Sequence, residues 1–198
     1  IIDLAGKYAI LVHLKMTGQL IFLDKKHLDK PIRLLNIPKL TPVRLPAKPT
    51  HVIFDFTDGS KLFYNDFRQF GYLKLVTDKE LSHVVELQNY GPEPLATDFT
   101  IGKFVAKLES RPKAKIKQFL MDPKNIAGIG NIYADESCFA AGIRPTRRAA
   151  SLTRAEIKHF HQAIGRVLRQ AIRERGTTFN DYVDPYGRRG NFLKYLKV

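Results

Sequence analysis

The chain has 198 residues, with 33 Lys and Arg against 19 Asp and Glu, a formal net charge of +14 and 44% apolar residues; its pI is near 9.9 and its mean hydropathy −0.23. That apolar content excludes a disordered polycation, and no stretch approaches a membrane span of about 20 uninterrupted apolar residues. The only cysteine, Cys138, excludes internal disulfides and a multi-cysteine zinc site, and fits a reducing, cytosolic compartment.

The first half reads as strands. Ile1-Ile2-Asp3-Leu4 looks like the middle of a strand, without an initiator Met or a signal-peptide layout, so a fragment is expected. Ala5-Gly6-Lys7 reads as a hairpin turn into a strand over 8–14, and 19–23 continues the pattern after Thr17-Gly18. Residues 24–50 carry Pro31, Pro38, Pro42, Pro46 and Pro49 and read as an irregular excursion. Strands over 51–56 and 61–65 flank the turn Thr57-Asp58-Gly59-Ser60, and another strand covers 71–76. Together these predict an incomplete antiparallel β-sandwich over residues 1–96.

After Gly91-Pro92-Glu93-Pro94 the period becomes helical, over 99–108, 114–121 and 132–141. A long helix over 153–175 shows the i/i+3/i+4/i+7 pattern of Ile157, Phe160, Ile164, Val167, Leu168, Ala171 and Ile172, with its start marked by Ser151 or Thr153, Glu156 spaced three after Thr153 as in a capping box, and Gly176 as its C′ residue. Residues 177–198 read as a Gly-rich loop and a short strand start. The fold class is therefore α+β, with a helical domain over 97–198.

Charge segregates between the halves. Residues 1–99 hold 13 basic and 11 acidic side chains, whereas 100–198 hold 20 and 8. A solubility charge would spread evenly; a polyanion-binding face would not, and nucleic acid is the leading partner, ahead of an acidic membrane surface. Within the basic half, Ala127-Gly128-Ile129-Gly130-Asn131 ends one helix and starts another. Freed N–H groups at such a start suit a phosphate, and glycine lets one approach; an ordinary capped helix–helix turn fits the same residues. The dinucleotide fingerprint is missed, because Tyr133 stands where a small residue is needed and no strand precedes the turn.

Five ordered segments share one resemblance. Asn125-Ile126-Ala127-Gly128-Ile129-Gly130-Asn131 running to Ser137, then Ala141-Gly142-Ile143-Arg144-Pro145, resembles the helix–two-turn–helix signature of the formamidopyrimidine-DNA glycosylase family. His13-Leu14-Lys15-Met16-Thr17-Gly18, Asp66-Phe67-Arg68-Gln69-Phe70-Gly71 and Gly91-Pro92-Glu93-Pro94-Leu95 follow the family's order. Gly176-Thr177-Thr178 with Asp181-Tyr182 and residues 187–190 resembles its lesion-capping loop, over about 176–192.

The resemblance implies a base-excision enzyme that flips an oxidised purine, chiefly 8-oxoguanine or a formamidopyrimidine, from duplex DNA, cuts the glycosidic bond and nicks the backbone by β,δ-elimination. It implies that Met16, Arg68 and Phe70 fill the void left by the extruded base, although composition alone would make Met16 and Phe70 core residues. Lys117, Asn131 and His51 become phosphate contacts, with Lys113 and Lys115 a generic basic rim. Pro49 replaces one histidine of the family's pattern and Gln69 one Arg or Lys, which puts a contact in doubt at each. His159 and His161 read as helix-surface residues. Gly176, Thr177 and Thr178 belong to the lesion loop.

The family's nucleophile is an N-terminal proline, followed by a glutamate acid/base and a lysine. None is expected in this chain, and Lys7 lies too close to Met16 to be that lysine. The family's four-cysteine zinc finger is expected beyond Val198, so this chain carries no cofactor and, alone, is expected to be an inactive monomer bound to damaged double-stranded DNA, in a bacterial cytoplasm at the nucleoid. A non-catalytic, ribosomal-type helix–two-turn–helix module explains the charge and the glycine turn but not Met16, Arg68 and Phe70. An endonuclease VIII-like enzyme for oxidised pyrimidines is a third reading.

Overall fold

The computed structural model describes residues 1–32, 34, 42–81, 83–84, 90–178, 183–186 and 188–198. Asp181-Tyr182 and Gly187, singled out above in the lesion-capping segment, lie outside the described residues, as does Pro38. The chain divides into two compact units, residues 1–82 with 175–193, and residues 83–174 with 194–198. Residues 175–193, placed above in the helical domain, group with the sheets.

In the first unit, β1 (Ile2–Leu4), β2 (Tyr8–His13), β3 (Gly18–Leu23), β4 (Thr50–Asp55), β5 (Lys61–Asp66) and β6 (Tyr72–Thr77) form two antiparallel three-stranded sheets. Their orders are β1-β2-β6 and β3-β5-β4. The expected turns are present: Gly6 and Lys7 take φ of 78° and 65° between β1 and β2, and Gly59 takes φ of 84° between β4 and β5. Ile21, Leu23 and Phe63 form the core of the second sheet, joined by Ile32, Leu34 and Leu45. Described residues of the proline-rich excursion thus cover this sheet. Residues 183–186 dock on the same sheet, where Phe22 of the edge strand β3 donates its N–H to Pro185 O at 2.8 Å.

Strands adjacent in sequence fall in different sheets at two places. The chain crosses from β2 to β3 through residues 14–17, and from β5 to β6 through 67–71. These two corners contain Met16, Arg68 and Phe70.

A short helix α1 (Asp78–Leu81) follows β6. The second unit holds α2 (Ile101–Glu109), α3 (Ile116–Met121), α4 (Asn131–Ala140) and α5 (Arg154–Arg173). Phe104 is fully buried at its centre, with the rings of Phe99, Phe119 and Phe160 5.7–6.3 Å away. The expected capping box starts α5: Thr153 Oγ1 accepts from Glu156 N and Glu156 Oε2 accepts from Thr153 N. The helix ends earlier than its pattern predicts, and Ile172, read as part of its apolar face, lies in the last turn with its side chain exposed. Glu174 is the C-cap, and Arg175 rather than Gly176 is the first left-handed residue, at φ 60°. The terminal segment, read as a strand start, is a 3-10 turn over Phe192–Tyr195 with Phe192 buried. No described helix is long and apolar enough to cross a membrane.

Candidate nucleic-acid interface

Asp66 ends β5 with its side chain 1% exposed. Its Oδ1 accepts from Thr17 Oγ1 of the first corner and, at 3.2 Å, from Arg68 N of the second. Its Oδ2 accepts from Gly71 N at 2.7 Å, and Arg68 N also reaches Thr17 Oγ1 at 3.2 Å. Burial alone would push this carboxyl up, but hydrogen bonds from Thr17 and from the N–H groups of Gly71, Arg68 and Gln69 outweigh it, holding Asp66 below the usual carboxylate range. An ionised carboxylate therefore ties the corners together.

Around it the backbone is tight and strained. Lys15 and Gln69 take left-handed φ of 49° and 59°, a conformation that costs a non-glycine residue about 1–3 kcal/mol. A Cβ on Gly71 would lie 2.1 Å from Tyr64 Oη and 2.8 Å from His13 O, so only glycine fits. The strain sits immediately before Met16 in one corner and before Phe70 in the other. Met16 is 78% exposed and Phe70 62%, against the expectation that composition sets for such side chains. The Arg68 guanidinium lies 5.0 Å from the Phe70 ring centroid, a cation–π stack that keeps both side chains together at the surface. His51 joins this cluster by bonding its Nε2 to Asp66 O at 2.8 Å.

In the second unit, a turn between α3 and α4 carries the glycine motif. Gly128 is left-handed at φ 75°, and Gly130 is the N-cap of α4. Gly130 has φ −95° and ψ −176°, open to any residue, and a Cβ there would meet nothing within 4 Å. Neither conformation nor internal packing demands glycine at 130. The first N–H groups of α4 have no helical partner, and the exposed Asn131 stands at that end. Gly91-Pro92 braces the turn: Gly91 N donates to Pro123 O at 2.7 Å and Ala127 N to Pro92 O at 3.1 Å.

Lys117, on α3, donates from Nζ to Asp135 Oδ2 at 2.7 Å. Asp135 is four residues after Asn131 and shares its face of α4, so the ion pair aims the lysine at the side of the helix that carries Asn131. Lys113 and Lys115 are exposed. His161 departs from the surface role expected of it, stacking on Phe99 at 4.8 Å and bonding Phe99 O through Nε2 at 2.9 Å.

Thr177 and Thr178 of the loop segment are buried, at 8% and 6% exposure. Thr178 Oγ1 accepts from Gly190 N at 2.8 Å and Gly176 O accepts from Phe192 N at 3.1 Å, so these residues close the base of the loop. Asp184 organises its described tip, accepting from Tyr186 N, Arg188 N and Arg188 Nε at 2.8–2.9 Å. Sequence reasoning missed Thr17, Asp66, Asp135 and Asp184. An acid ending a strand and followed by a glycine-closed turn is the one local signal that marks Asp66.

Among the described residues no three His, Cys, Asp or Glu side chains gather as metal ligands. Cys138 does not suit zinc, because burial, then the nearby Asp135 charge, pushes its thiol up to about 12.

Two family models match the chain, the formamidopyrimidine-DNA glycosylase N-terminal domain over residues 1–73 and the formamidopyrimidine-DNA glycosylase H2TH domain over 90–182. The formamidopyrimidine-DNA glycosylase of Moorella thermoacetica is 41% identical over 100% of this chain and 66% of its own length. That of Carboxydothermus hydrogenoformans is 41% identical over 100% and 64%. The chain thus spans just under two thirds of these relatives. Among solved structures it is similar to a Lactococcus lactis Fpg variant complexed with DNA containing Fapy-dG, at TM-score 0.78 and 27% identity over 98% of this chain and 64% of that one. It is also similar to MutM complexed with DNA containing carbocyclic 8-oxo-G, at TM-score 0.77 and 28% identity over 99% and 64%. With both domain models matching in order and these folds superposing along nearly its whole length, the chain belongs to the formamidopyrimidine-DNA glycosylase family.

Proposed function

We propose that this chain is the lesion-recognition and DNA-holding body of a base-excision enzyme, a DNA glycosylase and abasic-site lyase acting on oxidised purines such as 8-oxoguanine and formamidopyrimidines. The observation that carries the reading is the pair of corners tied by Asp66, which present Met16, Arg68 and Phe70 to solvent. Extruding a base from a duplex costs a few kcal/mol of stacking and pairing. Side chains held ready to enter the vacated space offset that cost without first being ordered. Met16 fills an irregular gap, Phe70 stacks beside the neighbouring pair, and Arg68 offers guanidinium donors to the widowed base.

Phosphates are held by Asn131 with the α4 N–H groups, by Lys117, and by His51. With Nε2–H given to Asp66 O, a neutral His51 keeps Nδ1 as an acceptor, so it donates to a phosphate only as imidazolium. Gly176, Thr177 and Thr178 shape the base of the lesion loop. No residue of this chain is assigned to the covalent step, and the family's zinc finger would take no ligand from it. Damaged double-stranded DNA is the partner, met by a monomer in the cytoplasm. The similar Lactococcus lactis Fpg variant and MutM structures are complexes with DNA containing Fapy-dG and carbocyclic 8-oxo-G, which supports this substrate class.

A competition assay tests the reading. An abasic-site duplex should displace labelled abasic DNA at lower concentration than an intact duplex or a structured RNA. Equal competition by all three would instead favour a generic nucleic-acid module.

A further inference from the structure

We propose that Asp66 and Thr17 are positioning residues that lock the two sheet-crossing corners into one preformed wedge. This inference rests on the DNA-repair reading above and assigns these side chains a part in it without contact to the lesion.

The two corners are far apart in sequence, and each alone is a short turn held in an unfavourable conformation at Lys15 or Gln69. What joins them is one carboxylate. Oδ1 takes the hydroxyl of Thr17 and the N–H of Arg68, while Oδ2 takes the N–H of Gly71. The antiparallel register that sets Gly18 opposite Asp66 brings the hydroxyl within reach, and Arg68 N bridges back to Thr17 Oγ1. Donors therefore enter from immediately after Met16 and from both sides of Phe70. A charged acceptor makes each of these bonds stronger than a neutral one would. With the lock intact, Met16, Arg68 and Phe70 keep a fixed spacing and enter a duplex as a unit. With it broken, the left-handed residues relax and each side chain must be ordered separately on binding.

The carboxylate's two-sided use makes its isostere informative. In Asp66→Asn one oxygen becomes an NH2 donor, which must face either the Gly71 N–H or the Thr17 and Arg68 donors. In the first orientation the Gly71 N–H loses its acceptor; in the second the Arg68 N–H loses one and the Thr17 hydroxyl must reverse its bond, so either way the lock is weakened. Thr17→Val deletes the hydroxyl at nearly constant shape, and Thr17→Ser keeps it.

The test measures dissociation constants of the full chain for an abasic-site duplex and for the same intact duplex at one salt concentration. It also measures, at saturating protein, the fluorescence of 2-aminopurine opposite the abasic site. Thr17→Val and Asp66→Asn should each reduce the preference for abasic DNA about tenfold, the effect of one lost charge-assisted hydrogen bond. They should also shrink the fluorescence change, and Thr17→Ser should restore both. If Asp66→Asn fails to fold, the Thr17 pair decides alone. A wild-type preference and signal retained by Thr17→Val, while Met16→Ala loses them, would overturn the lock and leave the DNA-repair reading standing. A wild-type chain with no preference for abasic DNA would overturn both.

Discussion

Lys117 Nζ sits 2.7 Å from Asp135 Oδ2, so the cation expected to grip a phosphate is already paired within the protein. Both side chains are partly exposed, at 32% and 21%, and the ammonium retains further N–H donors for a second acceptor. Replacing Lys117 with Ala should weaken binding to damaged and intact duplexes alike and lower the slope of log K against log salt by about 0.9. Asp135→Asn should do the reverse, tightening binding several-fold at low salt by uncovering the charge. Salt titrations of the two variants check both signs.

The second prediction concerns the corner glycine. An alanine at 71 puts a methyl group against Tyr64 Oη and His13 O. Forcing atoms into such a packed site costs about 1–3 kcal/mol. Chemical denaturation of Gly71→Ala should show a loss of that size. Gly130→Ala meets no protein atom and should leave stability nearly unchanged while weakening DNA binding, because its methyl group occupies the space open to a phosphate.

Acid should act on the second unit through Glu156. The Arg147 guanidinium first, then the Thr153 N–H, holds its carboxyl down at about 2, against an ordinary value of 4.5. A depressed folded value means that Glu156 stabilises the fold fully above pH 4.5, and that this contribution is lost as pH falls towards about 2. Thermal melts across that window should show wild type and Glu156→Gln converging as pH drops. Curves that keep a constant separation would remove Glu156 from the acid response.

Cys138 should be inert in the folded protein. Its thiol is fully buried and pushed up to about 12, leaving almost no thiolate at pH 8. A disulfide reagent at that pH should react only at the rate of opening of the second unit, and fast once denaturant is present.

How far the sequence reveals this molecule depends on the range of each interaction. The β4–β5 hairpin is legible because Asp58-Gly59 specifies its own turn, and α5 because its period and its Thr153–Glu156 box are local. The exposed Met16 and Phe70 are legible only through resemblance, since composition alone buries them. Asp66 is hidden for a different reason. Its partner Thr17 lies 49 residues earlier and meets it only after β3 pairs with β5. Periodicity says which face a residue takes but not which hydroxyl a carboxylate will find. Lys117 is singled out in the sequence only through resemblance, while its partner, 18 residues on, depends on how α3 and α4 pack. The early end of α5 belongs with these, because Arg175 adopts a left-handed conformation that propensity assigns to Gly176.

The most direct measurement of the wedge is the ratio of dissociation constants for intact and abasic-site duplexes, taken for the wild-type chain and for Arg68→Ala at the same salt. A wedge that enters the vacated space predicts a wild-type preference for abasic DNA that falls by about tenfold or more when the guanidinium is removed, in line with a lost hydrogen bond to the widowed base. Loss of the same factor for both duplexes would make Arg68 an ordinary phosphate contact and contradict the wedge.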